Sequence, residues 1–238
     1  GDTISSVLAQ DYPDIEYIVM DGGSTDDTLD ILKSYGNRLY WRSGKDSGQS
    51  EAINKGVALC SGLIVHWLNA DDTLLPGAVS AAVEALSGQS GAVYGDCAFT
   101  DPVGNVMFQS VGRDFTHAWM AWECRNPIPQ PACFIKRSAF RWLDEKLNYF
   151  LDWDLWLQIS REYGIKYVPE LWATYRIHPN TKTGSLAYPA HELEYIYRKH
   201  GLPRVPALYS RMAEYYGANG QHWRELLMRG KACAKYVI

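Results

Sequence analysis

Leu63-Ile64-Val65-His66-Trp67-Leu68-Asn69-Ala70-Asp71-Asp72 is the stretch on which the fold turns. Its first six residues are mostly apolar, follow Ser61-Gly62 and end at a polar run, the pattern of a short buried strand over 63–68. Where that strand runs out, two carboxylates stand side by side. Ligands of open α/β sheets bind beyond the carboxyl ends of such strands, so Asp71 and Asp72 fall where a site is expected. Adjacent acids repel each other and resist desolvation. A hard divalent cation shared with a substrate phosphate is one partner that relieves them. Helix capping is the other reading, with Asp71 or Asp72 closing the start of a helix near Pro76, since Pro suits a first helical turn. The residues alone leave both open.

Working outward, Ile15-Glu16-Tyr17-Ile18-Val19-Met20 predicts a second strand that also ends in an acid. The run Asp21-Gly22-Gly23-Ser24-Thr25-Asp26-Asp27 then supplies a glycine turn and capping residues before a helix reaching Tyr35. Asp46-Ser47-Gly48 similarly opens a helix that reaches Gly56. Up to about residue 95 the chain alternates helix (3–10, 26–35, 48–59, 76–87) and strand (15–20, 39–42, 63–68, 91–95), as a parallel α/β sheet requires. Residues 97–110 read as a hairpin turning at Asp101–Asn105, and the Trp- and Pro-rich residues 111–131 as a long loop. A strand at 132–136, a short helix, a helix at 153–163 and short strands near 166–168 and 172–176 close the pattern. From Pro189 the pattern is helical, broken at Gly201–Pro203 and Gly217–Gly220.

The 238 residues, 47% apolar and 13% aromatic, suit one α/β domain with an appendage. No apolar run approaches the ~20 residues that span a bilayer. Five scattered cysteines, without a CxxC pair, argue against a disulfide framework or zinc site and fit a reducing, cytoplasmic setting. Net charge is −4 but uneven. Residues 189–238 hold eight Lys/Arg against four Asp/Glu, so the rest of the chain carries −8. So few clustered cations argue against nucleic acid as a partner. Peripheral contact of the basic tail with an anionic membrane, at the inner face of the plasma membrane, competes with plain solvated helix faces.

Six blocks together resemble the inverting family 2 glycosyltransferases: Ser5–Pro13, Asp21-Gly-Gly-Ser-Thr-Asp26, Asp46–Gly56, Leu68-Asn-Ala-Asp-Asp72, Leu151-Asp-Trp-Asp-Leu-Trp-Leu157 and Tyr175-Arg-Ile-His178. Each block is weakly specific, whereas their order and spacing over roughly residues 3–180 is strong. The resemblance implies a GT-A fold, a nucleotide-binding three-layer α/β/α sandwich, over residues 1–185, with a C-terminal helical extension over 186–238. Family members have a strand before the first helix that helps hold the nucleotide base; this sequence opens at Gly1 directly into that helix, so a fragment is expected.

By the same resemblance, Asp21 accepts from the imide N–H of a uracil-type base and Asp46 also faces the nucleotide, which favours a UDP-linked donor. The family's Asp-x-Asp motif holds Mg²⁺ or Mn²⁺ on the diphosphate; here it reads Asn69-Ala70-Asp71. The second acid, the main ligand, is kept, Asp72 is a second candidate ligand, and Asn69 remains a donor-side hydrogen-bonding residue. Asp152 takes the position of the family's general base, with Leu151 in place of a Glu. An ordinary Asp, with a pKa of about 3.9, is a weak base, adequate in a concerted displacement and strengthened by desolvation among Tyr149, Phe150, Trp153 and Trp156. Capping of the following helix is the competing role, and Asp154 the competing acid. Arg176 and His178 are expected near the donor, Gln130 and Trp153 on the acceptor side, and Lys55 and Arg42 are phosphate candidates or plain surface charge. The expected function is sugar transfer from a nucleotide sugar to a saccharide or lipid-linked glycan. A carbohydrate-binding or scaffolding relative, impaired by Asn69 and Leu151, and a sugar-phosphate nucleotidyltransferase are the alternatives.

Overall fold

The computed structural model describes residues 1–179, 181–182, 189–218 and 220–233. The chain divides into two compact units, one of residues 1–114 and 128–176, the other of residues 115–127 and 177–238. The boundary expected at 185/186 falls outside the described residues.

In the first unit the elements run α1 (Asp2–Leu8), β1 (Ile18–Asp21), α2 (Thr28–Ser34), β2 (Tyr40–Ser43), α3 (Gln49–Leu59), β3 (Ile64–Val65), β4 (Thr73–Leu74), α4 (Ala78–Ala85), β5 (Ala92–Thr100) and β6 (Val106–Ser110). The second unit contributes α5 (His117–Glu123) before the chain returns with β7 (Cys133–Lys136), α6 (Leu151–Glu162) and β8 (Ile165–Arg176). Strands β1 and β2 pair in parallel as a two-stranded sheet. A six-stranded sheet has the order β3-β7-β5-β8-β4, with β6 added to β5. Among the described residues only its β5–β8 pair is parallel, so the sheet is mixed where the helix–strand alternation predicted a parallel one.

Alternation along β1 explains the layering. Tyr17 and Val19 pack on the cluster of Ile4, Leu32 and Leu39, which brings α1 and α2 to one face. Met20 points the other way and lies against Gly56 of α3, where an added Cβ would come within 3.4 Å. Helix α1 serves both sheets, since Val7 joins a second cluster with Leu74, Ala82, Val93, Phe134 and Trp172. Side chains from β5, β7, β8 and α4 meet there, and this burial is the main stabilising term.

Several expectations shift. The strand over 63–68 pairs only at Ile64 and Val65, because the Trp67 carbonyl is taken by the side chain of Gln130 (2.6 Å). Strand β4 was not foreseen, and among the described residues no α-helix lies between β7 and α6. The two short strands near 166–176 are one strand whose register slips opposite Tyr94–Cys97. Helix α5 lies in the expected loop, its first turn capped by the Thr116 hydroxyl accepting from the Trp119 N–H (3.1 Å).

The second unit also holds α7 (Ala190–Lys199), α8 (Pro206–Ala218) and α9 (His222–Cys233). Tyr197 of α7 donates from its hydroxyl to the Ala121 carbonyl of α5. Among the described residues no helix is long and apolar enough to cross a membrane.

Candidate functional site

Asp21, the last residue of β1, ends the strand in a tight turn. Its carboxylate accepts from the N–H groups of Gly23 and Ser24 (3.1 Å each) and from the hydroxyls of Ser24 and Ser43, the latter at 2.6 Å. Desolvation works to raise its pKa, but these hydrogen bonds prevail and hold it below the ordinary carboxylate range. Gly23 has φ +90°, a conformation suited to glycine, and a Cβ on Gly22 would come within 2.9 Å of Asp46 Oδ2. Asp21 and Asp46 therefore flank one turn. Asp46 Oδ1 accepts from the Gly48 N–H (3.0 Å) at the start of α3. With Arg42, Ser43, Lys45 and Lys55, these two acids line a cleft of about 400 Å³. Lys55 pairs with Glu51 (2.6 Å), and the Arg42 guanidinium lies over the Tyr40 ring.

At the first residue of α3, Gln49 Nε2 donates to Asn69 Oδ1 (2.6 Å). Asn69 Nδ2 in turn donates to Asp72 Oδ2 (3.1 Å) and Gln130 Oε1 (3.2 Å). Asp72 is 1% exposed, and its other oxygen accepts from the backbone N–H of Arg176 (3.0 Å). Burial first, then the neighbouring Asp71, pushes its pKa up to about 7. Asp71 is partly exposed. The Thr3 hydroxyl, from α1, lies 2.8 Å from the carbonyls of both Ala70 and Asp72 and holds the loop from beneath. The capping reading of Asp71 and Asp72 does not hold: α4 begins at Ala78 after Gly77, with no side-chain cap.

Asp152 lies in the first turn of α6, partly buried, its Oδ1 accepting from the Trp153 N–H (2.7 Å). The helix is capped by Phe150 without a side-chain bond, so Asp152 is not the cap. Two observations tie it to the Gln130 region. Burial and, after it, the charge of Asp152 push the Cys133 thiol well above its ordinary pKa, and Cys133 follows the short 3₁₀ turn Gln130–Ala132. Trp156, one helical turn along from Asp152, stacks on Trp67 (centroids 5.6 Å apart, 14° between planes). The indole N–H groups of Trp67 and Trp156 are buried with no hydrogen-bond partner among the described residues. Trp153, expected on the acceptor side, is 1% exposed and forms part of the core. Asp154 is fully buried, with Oδ2 accepting from Gln158 Nε2 (3.1 Å).

Hydrogen bonds thus join Asn69, Asp72, Gln130 and the Arg176 backbone, with Asp71 next in the chain to Asp72, and the turn flanked by Asp21 and Asp46 leads through Gly48 into Gln49, which reaches Asn69. The Arg176 guanidinium reaches Asp2 (3.2 Å). His178 belongs to the second unit, where its carbonyl accepts from the Thr181 N–H (2.9 Å) and hydroxyl (2.8 Å). Gln49 and Thr3 were missed as site residues; Gln49 sits inside the Asp46–Gly56 block and Thr3 just ahead of the Ser5–Pro13 block, but nothing in their spacing marked them as hydrogen-bond partners of the Asn69–Asp72 loop.

Among the described residues no group of three or more His, Cys, Asp and Glu side chains could hold a metal ion. A cation arriving on a diphosphate asks less, one or two carboxylates with the phosphates completing its shell. The hard oxygens of Asp71, partly exposed on an anchored loop, fit that demand.

The sequence profile described as Glycosyl transferase family 2 matches residues 1–143. An uncharacterized glycosyltransferase of Rickettsia prowazekii is 27% identical over 209 residues, 81% of this chain and 64% of that protein. A PGL/p-HBAD biosynthesis glycosyltransferase of Mycobacterium tuberculosis is 39% identical over 100 residues, 39% of each chain. The chain thus spans less than two thirds of either relative's length. Among solved structures, S. aureus TarS 1–349 in complex with UDP-GlcNAc matches with a TM-score of 0.70 at 15% identity, over 97% of this chain and 75% of that one. At such identity the likeness speaks to the fold.

Proposed function

The chain belongs to glycosyl transferase family 2, with its GT-A α/β fold, and from that premise we propose that it moves a sugar from a UDP-linked donor to a saccharide or lipid-linked glycan, with inversion. The observation that carries this reading is that the turn flanked by Asp21 and Asp46 runs into α3, whose first residue Gln49 bonds Asn69, which in turn bonds Asp72 and Gln130. The bound nucleotide of the similar TarS structure, UDP-GlcNAc, favours a UDP-linked donor.

In this reading the cleft beside Asp21 and Asp46 receives the nucleoside, with Lys45 and Lys55 adding positive charge for the phosphates. Asp71 holds the cation that accompanies the diphosphate; when bound, Mg²⁺ or Mn²⁺ supplies Lewis-acid stabilisation of the leaving group's charge. Asp72, behind it, braces the loop. Asp152 takes the proton from the acceptor hydroxyl as its oxygen attacks the anomeric carbon. The carbon–oxygen bond to the diphosphate breaks on the opposite side, and its electron pair leaves with the nucleotide. Arg176 and Gln130 orient the groups around this centre, and His178 is a further candidate for the donor. The chemistry belongs in this reading to the stretch 1–185, to which the stretch 186–238 is an appendage.

Calorimetric titration of UDP with and without Mn²⁺ tests the reading, followed by a mass-spectrometric screen for hydrolysis of nucleotide sugars. Measurable binding of UDP in EDTA that Mn²⁺ strengthens tenfold or more, with turnover of one donor, is the expected result. Saccharide binding without any nucleotide affinity would instead establish a carbohydrate-binding relative.

A further inference from the structure

Position 69, where the resemblance implies an acid, carries an amide, and the surrounding hydrogen bonds run in the direction that an amide satisfies. Two ends of the network are fixed by chemistry. The Arg176 backbone N–H can only donate, so it needs the carboxylate oxygen of Asp72 (3.0 Å). The Trp67 carbonyl can only accept, so Gln130 must turn its amide nitrogen to it (2.6 Å). Gln130 then presents its own oxygen to position 69 (3.2 Å), as Asp72 presents its second oxygen (3.1 Å). Both acceptors call for N–H donors from residue 69, and Asn69 Nδ2 has two. Its Oδ1 is left to accept from Gln49 (2.6 Å). Every group is matched, and all five contacts are partly or fully removed from water.

We propose that positions 69 and 72 act as one amide–carboxylate pair carrying a single charge, so that Asn69 is a positioning residue for the Asp71 loop and not a decayed metal ligand. The carboxylate of the pair is at position 72, and an acid at position 69 is harmful. Asn69→Asp would set a second carboxylate 3.1 Å from the buried Asp72 and face an oxygen to Gln130 at 3.2 Å. The charge repulsion is the larger of the two penalties, because the contact with Gln130 involves a neutral amide. Adding Asp72→Asn removes that repulsion. The amide then at position 72 accepts from the Arg176 N–H and donates to the carboxylate at position 69. The pair keeps one charge, with its ends exchanged.

This inference rests on the reading of Asp71 as the residue that holds the diphosphate's cation, and its test separates the two. The wild-type protein, Asn69→Asp and the double variant Asn69→Asp/Asp72→Asn are compared at pH 8 by UDP titration with Mn²⁺ and with EDTA, and by thermal melting without ligand. The expected result is a loss of at least tenfold in Mn²⁺-dependent UDP affinity for Asn69→Asp, with recovery to within about threefold of wild type in the double variant. UDP binding in EDTA should be alike in all three, which a general loss of structure would not give. Melting temperatures should follow the same order. An Asn69→Asp protein as good as wild type, or a double variant no better than the single one, overturns the proposal, as does failure of both variants to fold. If wild type binds no UDP, the functional reading fails, and the melting order still decides whether the pair exists.

Discussion

His66 should make the protein acid-sensitive, and the size of the effect can be worked out. The ring stacks on Phe134 (4.3 Å between centroids, 21°), and one ring nitrogen lies 2.9 Å from the Pro131 carbonyl, to which it donates. Burial lowers its pKa to about 4, with the Pro131 hydrogen bond opposing the shift. The folded value is depressed below the ordinary histidine value of about 6.5, so the unfolded chain takes up the proton first. Stability is therefore full above about pH 6.5 and is lost as pH falls toward 4. Between pH 7.5 and pH 5 the two states differ by one proton over about 1.5 pH units, which at 1.36 kcal/mol per unit costs about 2 kcal/mol. His66→Gln keeps a side-chain N–H for the Pro131 carbonyl and removes the titration. Urea denaturation of both proteins at pH 7.5 and 5.0, in EDTA, measures the difference in slope. Asp72, whose pKa is raised by burial, contributes with the opposite sign, but it is common to both proteins and cancels in the comparison. Wild type should lose about 2 kcal/mol more than His66→Gln on acidification. Equal losses would refute the assignment of a partly buried, neutral imidazole.

Three further outcomes follow from the geometry. Asp152→Asn should lower turnover by about 10²-fold or more while leaving UDP affinity nearly intact, since a base acts in the transition state; turnover within a few-fold of wild type would remove Asp152 from that role. Asp71→Ala should weaken UDP binding in Mn²⁺ by tenfold or more and leave binding in EDTA alone, and equal affinities in titration would reassign the residue. Gly95→Ala forces a Cβ to within 2.6 Å of the Glu170 carbonyl and of the Trp172 ring, so a loss of about 1–3 kcal/mol in urea denaturation is expected, and an unchanged midpoint would mean that β5 and β8 pack less tightly than described.

Much of the frame was legible because it is local. The apolar runs ending at Met20 and Leu68, and the glycine turns at Gly22-Gly23 and Gly48, announce strands and helix starts within a few residues. The parts that escaped depend on partners far along the chain. Thr73 and Leu74 form a strand only because Thr174 and Ala173 lie alongside, and two residues carry no period to read. The strand at Val65 stops early because Gln130, remote in sequence, supplies the hydrogen bond to Trp67. Seven residues at 117–123 are too few for a clear helical pattern among so many tryptophans. Motif spacing likewise brought Asn69, Asp71 and Asp152 to notice, yet said nothing of Gln49, whose role exists only where α3 meets the loop.

The two neighbouring acid pairs share one physical arrangement, which no motif expresses. In Asp71-Asp72 and in Asp152-x-Asp154 one carboxylate is withdrawn, Asp72 at 1% and Asp154 at 0% exposure, while its neighbour stays partly exposed. The withdrawn member spends its oxygens on internal donors: Asn69 and the Arg176 N–H for Asp72, and Gln158 for Asp154. A buried charge is tolerable only when matched in this way, and once matched it fixes the backbone on either side of it. A carboxylate that must meet a cation or a proton has the opposite requirement, because it needs open lone pairs in a fixed place. Pairing the two kinds of acid answers both requirements at once, with the buried one setting the position of the exposed one. The consequence is that Asp72→Asn and Asp154→Asn should act through the geometry of Asp71 and Asp152, altering the rate or the metal dependence without removing either function's reacting group.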